Sequence, residues 1–153
     1  MGDIATRVTA PAMAQAKNNR LAAVMRRDLD RAKELARQCG APKAYGTVNE
    51  LLEDDEIDAV YVATPVHAHA SQTIQAAERG KHVLCEKPMA MGAEEGKRMV
   101  QACDANGVKL MVCYYQRFNR RHQKIKELLD AGEIGQITAA RLTFAGLKPD
   151  EPG

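Results

Sequence analysis

The stretch from residue 57 to residue 85 constrains this chain most. Ile57-Asp58-Ala59-Val60-Tyr61-Val62-Ala63 is a mostly apolar, β-rich run, the pattern of a strand buried on both faces of a sheet. Thr64-Pro65 ends it. A helical pattern follows over residues 67–78 and stops at Gly80, and residues 82–85 read as a second short strand. Strand, helix and strand in about 30 residues make a βαβ unit, whose two strands run parallel.

The same alternation covers the rest of the chain. Residues 4–16 read as a helix with Ile4, Val8, Pro11 and Met13 as core contacts, kinked or broken at Pro11. Residues 21–25 form a short apolar strand. Asp28 caps a helix that runs through Cys39 and stops at Gly40. Residues 43–45 are a weak strand. Thr47, with Glu50 three residues on, makes a capping-box pattern for a short helix carrying Leu51 and Leu52. A helix lies within residues 92–106, a strand over 108–114, and a helix over 120–131 with Ile125, Leu128 and Leu129 on one face, closed by Gly132. Residues 137–144 alternate like a final strand. The pattern implies an α/β fold, a doubly wound and mostly parallel sheet with helices on both faces.

Composition narrows the function classes. The chain has 153 residues, 45% hydrophobic and 27% charged, the balance of a globular domain rather than a disordered one. Its apolar runs fall well short of the roughly 20 residues a membrane span needs. With 22 basic and 20 acidic residues the net charge is +2, which builds no field for nucleic acid or a membrane surface. Cys39, Cys85, Cys103 and Cys113 form no C-x-x-C pair and no zinc-ligand spacing, alone or with the four histidines. No metal is expected, and the cysteines read as small buried hydrophobes in a reducing compartment. Gly2, Asp3 and Arg7 interrupt any signal-peptide core, so a cytoplasmic location is expected.

In parallel sheets ligands bind beyond the carboxyl ends of the strands. Three ends carry polar groups: Thr64-Pro65 followed by His67 and His69; Glu86-Lys87-Pro88 directly after residues 82–85; and Tyr114-Tyr115-Gln116-Arg117 after the strand over 108–114. A charged pair abutting a buried strand, followed by a proline, is an unusual placement that points to a site. At the other end of the sequence, Gly2-Asp3-Ile4-Ala5 before a helix resembles the second half of the G-x-G-x-x-[GA] dinucleotide fingerprint. Gly2 lets the backbone approach a pyrophosphate, Ala5 packs helix on sheet, and the helix start faces the phosphates. The strand at 21–25 ends in Arg26-Arg27, where a carboxylate would read a ribose; two guanidinium groups suit a 2′-phosphate instead.

Taken in order, these motifs resemble the Gfo/Idh/MocA family of NAD(P)-dependent oxidoreductases. The densest match is residues 57–90, IDAVYVATPVHAHASQTIQAAERGKHVLCEKPMA, with its A-T-P strand end, a histidine five residues after the threonine, and the E-K-P turn. The resemblance implies a Rossmann-type cofactor domain over residues 1–117, lacking its usual first strand and first glycine, and the beginning of a C-terminal α/β substrate and oligomerisation domain over 118–153. It implies Lys87 as the catalytic proton donor or electrophile at the reacting oxygen. It implies Glu86 beside the nicotinamide ribose or ordering Lys87, and Thr64, Pro65, His69 and Arg117 along the cofactor crevice. NADP is expected as cofactor because of Arg26 and Arg27, with NAD as the alternative. The expected substrate is a sugar, polyol or related alcohol–carbonyl pair, and the expected complete protein a homo-oligomer without nucleic-acid or membrane partners. As a fragment truncated at both ends, the chain alone is expected to be poorly stable and inactive, with unpaired strand edges. A non-catalytic regulatory module of the same fold is the competing reading, and Lys87 argues against it. A methyltransferase-like domain is a third, opposed by Arg26.

Overall fold

The structure, a computed structural model, describes residues 9–141 and Thr143. Gly2, Asp3, Ile4 and Ala5, the phosphate-binding expectation, lie outside the described residues, as does Val8. The chain divides into two compact units, Met1–Tyr114 and Tyr115–Gly153.

In the first unit, helix α1 (Ala10–Gln15) has Pro11 in its first turn. An amide hydrogen there has no intrahelical acceptor anyway, so Pro11 neither kinks nor breaks the described helix. Strand β1 (Ala23–Met25) leads to helix α2 (Leu29–Cys39). Asp28 caps α2, its Oδ1 accepting from the Arg31 backbone N–H at 3.1 Å. Gly40 closes the helix at φ 72°, a left-handed conformation that costs glycine nothing. Ala32, Leu35 and Ala36 are buried, which is the helical spacing of one face. Strand β2 (Lys43–Tyr45) pairs parallel with β1. Helix α3 (Val48–Leu52) starts in a complete capping box between Thr47 and Glu50.

Strand β3 (Ala59–Val62) is followed by a 3-10 turn, Val66–Ala68, and helix α4 (His69–Glu78). Strand β4 (His82–Cys85), helix α5 (Ala93–Ala105) and strand β5 (Leu110–Val112) complete the unit. Strands β3, β4 and β5 are parallel, with Val62 opposite Cys85 and Cys85 opposite Val112. All three strands therefore end at one edge. The parallel pairs are β1–β2 and β3–β4–β5, and the two sheets share no pairing among the described residues. A doubly wound sheet has the order 3-2-1-4-5-6. Among the described residues the order corresponds to that one, with β2 and β1 in the places of strands 3 and 2 and β3, β4 and β5 in those of strands 4, 5 and 6.

Between β1 and β3 lies a cavity of about 480 Å³, walled by Ala22 to Met25 on one side and Ala59 to Val62 on the other. It explains a departure from expectation. A strand buried on both faces was foreseen at 57–63, but Ala59 is exposed and Val60 and Tyr61 are only half-buried. Among the described residues their second edge meets this cavity and pairs with no strand. The core divides in the same way. Leu52, Val62, Ala70, Ala76, Val83, Cys85 and Met99 form the main cluster, and Val24, Leu35, Ala36 and Ala41 a separate one under β1.

The second unit contains a 3-10 turn, Tyr115–Phe118, and helix α6 (Arg120–Asp130). Asn119 caps α6 by accepting from the Arg121 backbone N–H at 2.9 Å. The apolar face read from the sequence is not buried: Ile125 is 54% exposed. Residues 137–141 form no strand, because no described strand of this unit stands beside them to take their hydrogen bonds. Leu142 and Phe144, the remainder of that expected strand, lie outside the described residues. No helix among the described residues is long and apolar enough to cross a membrane.

Candidate functional site

The site is built where β3 and β4 end side by side. The backbone N–H of Glu86 donates to the Val62 carbonyl at 2.9 Å, extending the ladder by one residue and delivering the Glu86-Lys87-Pro88 turn to the sheet edge. The Glu86 carboxylate is then fixed at both oxygens. Oε1 accepts from the Tyr61 hydroxyl at 2.6 Å, and Oε2 accepts from the Lys87 backbone N–H at 3.0 Å. A carboxylate so placed is a directed acceptor. Lys87 is exposed, and its ammonium makes no hydrogen bond or ion pair among the described residues. The Lys87–Pro88 peptide is cis.

Thr64 and Pro65 carry the chain from β3 toward α4. The Thr64 hydroxyl donates to Gln72 Oε1 at 2.8 Å, which ties the strand end to the helix. His69, the first residue of α4, stands differently from expectation. It is 1% exposed, with Nε2 2.8 Å from the Thr64 carbonyl oxygen and Nδ1 3.0 Å from the Pro88 carbonyl oxygen. Both ring nitrogens face backbone carbonyl oxygens inside the protein, one of them donating, and the buried ring offers neither to a ligand. It joins the Thr64-Pro65 turn to the Glu86-Lys87-Pro88 turn from beneath.

Burial sets the proton state of the groups around Glu86. The Tyr61 phenol is pushed well above its ordinary range, first by burial and then by the neighbouring Glu86 carboxylate. It therefore keeps its proton and donates it. Cys85 and Cys113 are each pushed up to about 11, chiefly by burial, with the Glu86 charge adding to both. Neither thiol is a nucleophile near neutral pH.

Arg26 and Arg27 follow β1 at the same kind of strand end. The Arg26 backbone N–H donates to the Tyr45 carbonyl at 3.1 Å, and Arg27 is exposed. The nearest following carboxylate, Asp28, is occupied as the α2 cap and by Arg31 Nε at 3.3 Å. Arg117 belongs to the 3-10 turn of the second unit and is exposed there. Sequence reasoning missed Tyr61. Its signal was a hydroxyl inside an otherwise aliphatic strand, which needs a partner when the ring is buried.

A parallel α/β sheet with polar turns gathered at its strand ends is the architecture of a dinucleotide-binding domain. Residues 1–114 match the oxidoreductase family with an NAD-binding Rossmann fold, Gfo/Idh/MocA, and the chain belongs to that family. It is 37% identical over 147 residues, 96% of its length, to the uncharacterized oxidoreductase ORF334 of Rhizobium meliloti. It is 39% identical over 136 residues, 89% of its length, to D-xylose 1-dehydrogenase (NADP(+)) 2 of Haloferax volcanii. The chain spans 44% and 42% of these two relatives. Among solved structures, KijD10, a 3-ketoreductase from Actinomadura kijaniata in complex with TDP-benzene and NADP, superposes with a TM-score of 0.80 at 32% identity, covering 86% of this chain and 41% of that one. Scyllo-inositol dehydrogenase from Lactobacillus casei shares the fold, with a TM-score of 0.83 at 24% identity over 90% of this chain and 41% of that one.

Proposed function

We propose that this chain is the cofactor-binding part of an oxidoreductase that moves a hydride between NADP and a sugar, polyol or related alcohol–carbonyl substrate. The observation that carries the reading is the Glu86-Lys87-Pro88 turn at the end of β4, where a fixed carboxylate adjoins an ammonium without a partner among the described residues. The cofactor, when bound, supplies the hydride-accepting or hydride-donating ring. This chain's residues supply the rest. Glu86 presents an acceptor to ribose hydroxyls. The Lys87 side chain reaches the reacting oxygen, giving it a proton as the ammonium when a carbonyl is reduced and taking one as the amine when an alcohol is oxidised. Thr64 and Pro65 form the neighbouring wall of the crevice.

The choice of NADP rests on the end of β1. Arg26 and Arg27 directly follow β1, where two guanidinium groups suit a 2′-phosphate, and Asp28 beside them caps α2. The Haloferax volcanii relative is named for NADP, and KijD10 is complexed with it. Both names also describe alcohol–carbonyl chemistry, in keeping with the substrate class.

Fluorescence titration with NADPH and NADH tests the reading. It is made on the 153-residue chain and on a chain extended at both ends to the length of its relatives. Tighter binding of NADPH by either chain supports it. Binding of neither cofactor by both chains overturns it, and preference for NADH overturns the assignment of the arginines.

A further inference from the structure

We propose that Tyr61 is a positioning residue, one that acts on a bound cofactor by holding the Glu86 carboxylate in the direction of a ribose hydroxyl. This rests on the reading of Glu86 given above and adds to it a residue that makes no cofactor contact of its own.

Tyr61 is the third residue of β3, between Val60 and Val62, and its phenol carries one hydrogen. Two oxygens approach that hydroxyl: Glu86 Oε1 at 2.6 Å and Thr9 Oγ1 at 3.2 Å. An ionised carboxylate accepts only, so the phenol hydrogen goes to Glu86, and the Thr9 hydroxyl must donate to the phenol oxygen. Burial and the adjacent carboxylate keep that phenol protonated, so it remains a donor at any working pH. The contact is short, as hydrogen bonds to a charged acceptor are.

The consequence for Glu86 is orientation. A glutamate at a half-exposed strand end would otherwise sample several rotamers in water. Here the backbone is held by the Val62 carbonyl, Oε2 by the Lys87 N–H and Oε1 by Tyr61. Each oxygen spends one acceptor site on the protein and retains another for a ligand hydroxyl. Of the two side-chain anchors, the Lys87 N–H is local to the turn and moves with it. Tyr61 is 25 residues away on a neighbouring strand, so it alone refers the carboxylate to the sheet.

The test has two readouts. The first is the Cζ chemical shift of Tyr61, read by NMR at neutral pH on tyrosine labelled at Cζ, with Tyr61→Phe assigning the signal among the four tyrosines. In Glu86→Gln, which replaces the charged acceptor of the phenol hydrogen, that shift is expected to move; an unchanged shift overturns the contact and the proposal, whatever the cofactor does. The second is NADPH affinity in whichever of the two chains binds it. Tyr61→Phe keeps the ring and removes the hydroxyl. It is expected to weaken NADPH about tenfold, the scale of one hydrogen bond to a charged group. In a Glu86→Ala background the same change should cost less than about twofold, because residues acting as one unit are not additive. Parent-like affinity in Tyr61→Phe, or equal losses in both backgrounds, overturns the proposal while leaving the cofactor reading intact. Parent-like affinity in Glu86→Ala removes the role of Glu86, and the role of Tyr61 with it.

Discussion

The carbonyl oxygen of Pro88 lies 3.0 Å from Nδ1 of His69, nineteen residues earlier in the chain. The other ring nitrogen faces the carbonyl of Thr64 at 2.8 Å. One buried ring therefore joins the turns that follow β3 and β4, and these are the turns that carry Thr64, Pro65, Glu86 and Lys87.

Replacing His69 by Leu fills most of the volume and leaves the carbonyl that the ring N–H serves without its donor. A buried acceptor stripped of its hydrogen bond costs about 1–3 kcal/mol. A thermal midpoint several degrees below that of the parent is expected, on a scale of about 2–4 °C per kcal/mol for a chain of this size. NADPH affinity should fall as well, because the two turns lose their common anchor. Differential scanning fluorimetry with and without cofactor checks both, and a Leu variant as stable as the parent would show that the ring only fills space.

Arg26 and Arg27 make a selective prediction. If they meet a 2′-phosphate, changing both to Ala removes charge-assisted hydrogen bonds that NADH never makes. NADPH affinity should fall by about tenfold or more, and NADH affinity by less than about twofold. Isothermal titration with each cofactor measures the ratio. Equal losses for the two cofactors would assign the arginines to the protein surface.

Lys87 is exposed and without a partner among the described residues, so its ammonium contributes little to stability. Lys87→Ala should fold as the parent does. In a chain extended to the length of its relatives, turnover should fall by about 10²–10⁴, the usual worth of a positioned acid or base. NADPH affinity should change only a few-fold. Retained turnover in Lys87→Ala would move the proton transfer to another group.

The parts of this molecule that were legible in the sequence are those set by local chemistry. Asp28 and Gly40 bracket α2, and the Thr47–Glu50 pair opens α3, because caps are decided by a few neighbouring residues. The Glu86-Lys87-Pro88 turn was legible because two charges abut an apolar strand. What failed depended on distant partners. His69 was expected to line the crevice, and only the fold shows its two nitrogens turned to the Thr64 and Pro88 carbonyls. Tyr61 reads in the sequence only as one residue of an apolar strand, because its hydroxyl partner is 25 positions away. The strand at 57–63 has the composition of a central strand, yet its open edge leaves Ala59 exposed. The alternation at 137–144 describes a strand's preference, and with no neighbouring strand among the described residues of that unit it yields none over 137–141.

Asp54 predicts how the fold responds to acid. Its carboxylate accepts from Lys43 Nζ at 2.9 Å, from the Glu56 backbone N–H at 3.0 Å and from the Tyr45 hydroxyl at 2.8 Å. Lys43, foremost among these, holds Asp54 down to about 2. The folded state thus binds this proton more weakly than the unfolded state, where an aspartate titrates near about 4. The contribution of the ionised form is complete above about pH 4 and is lost as the pH falls toward 2. Glu50 and Glu56 are lowered too and add to the same slope. Asp54→Asn should be less stable than the parent at pH 7, and the gap should narrow between pH 4 and pH 2. Urea unfolding across that range measures it, and a gap independent of pH would remove Asp54 from the acid response.

The divided core predicts that the first unit does not open as one. Val24, Leu35, Ala36 and Ala41 form a small cluster under β1 and β2, while the cluster under β3, β4 and β5 holds Met99, Val83, Val62 and Cys85. The cavity between β1 and β3 separates the two sheets, and α3, which carries Leu52 of the larger cluster, packs against β1 and β2 as well. Protection from hydrogen exchange follows the free energy of local opening. Amides of β1 should exchange at least about tenfold faster than those of β4. Met99 is fully buried in the larger cluster, and Met99→Ala should cost about 2–5 kcal/mol there. That substitution should speed exchange across β3, β4 and β5 and leave β1 and β2 nearly unchanged. Equal acceleration in both sheets would mean that the cavity does not divide the unit energetically and that the two sheets unfold together.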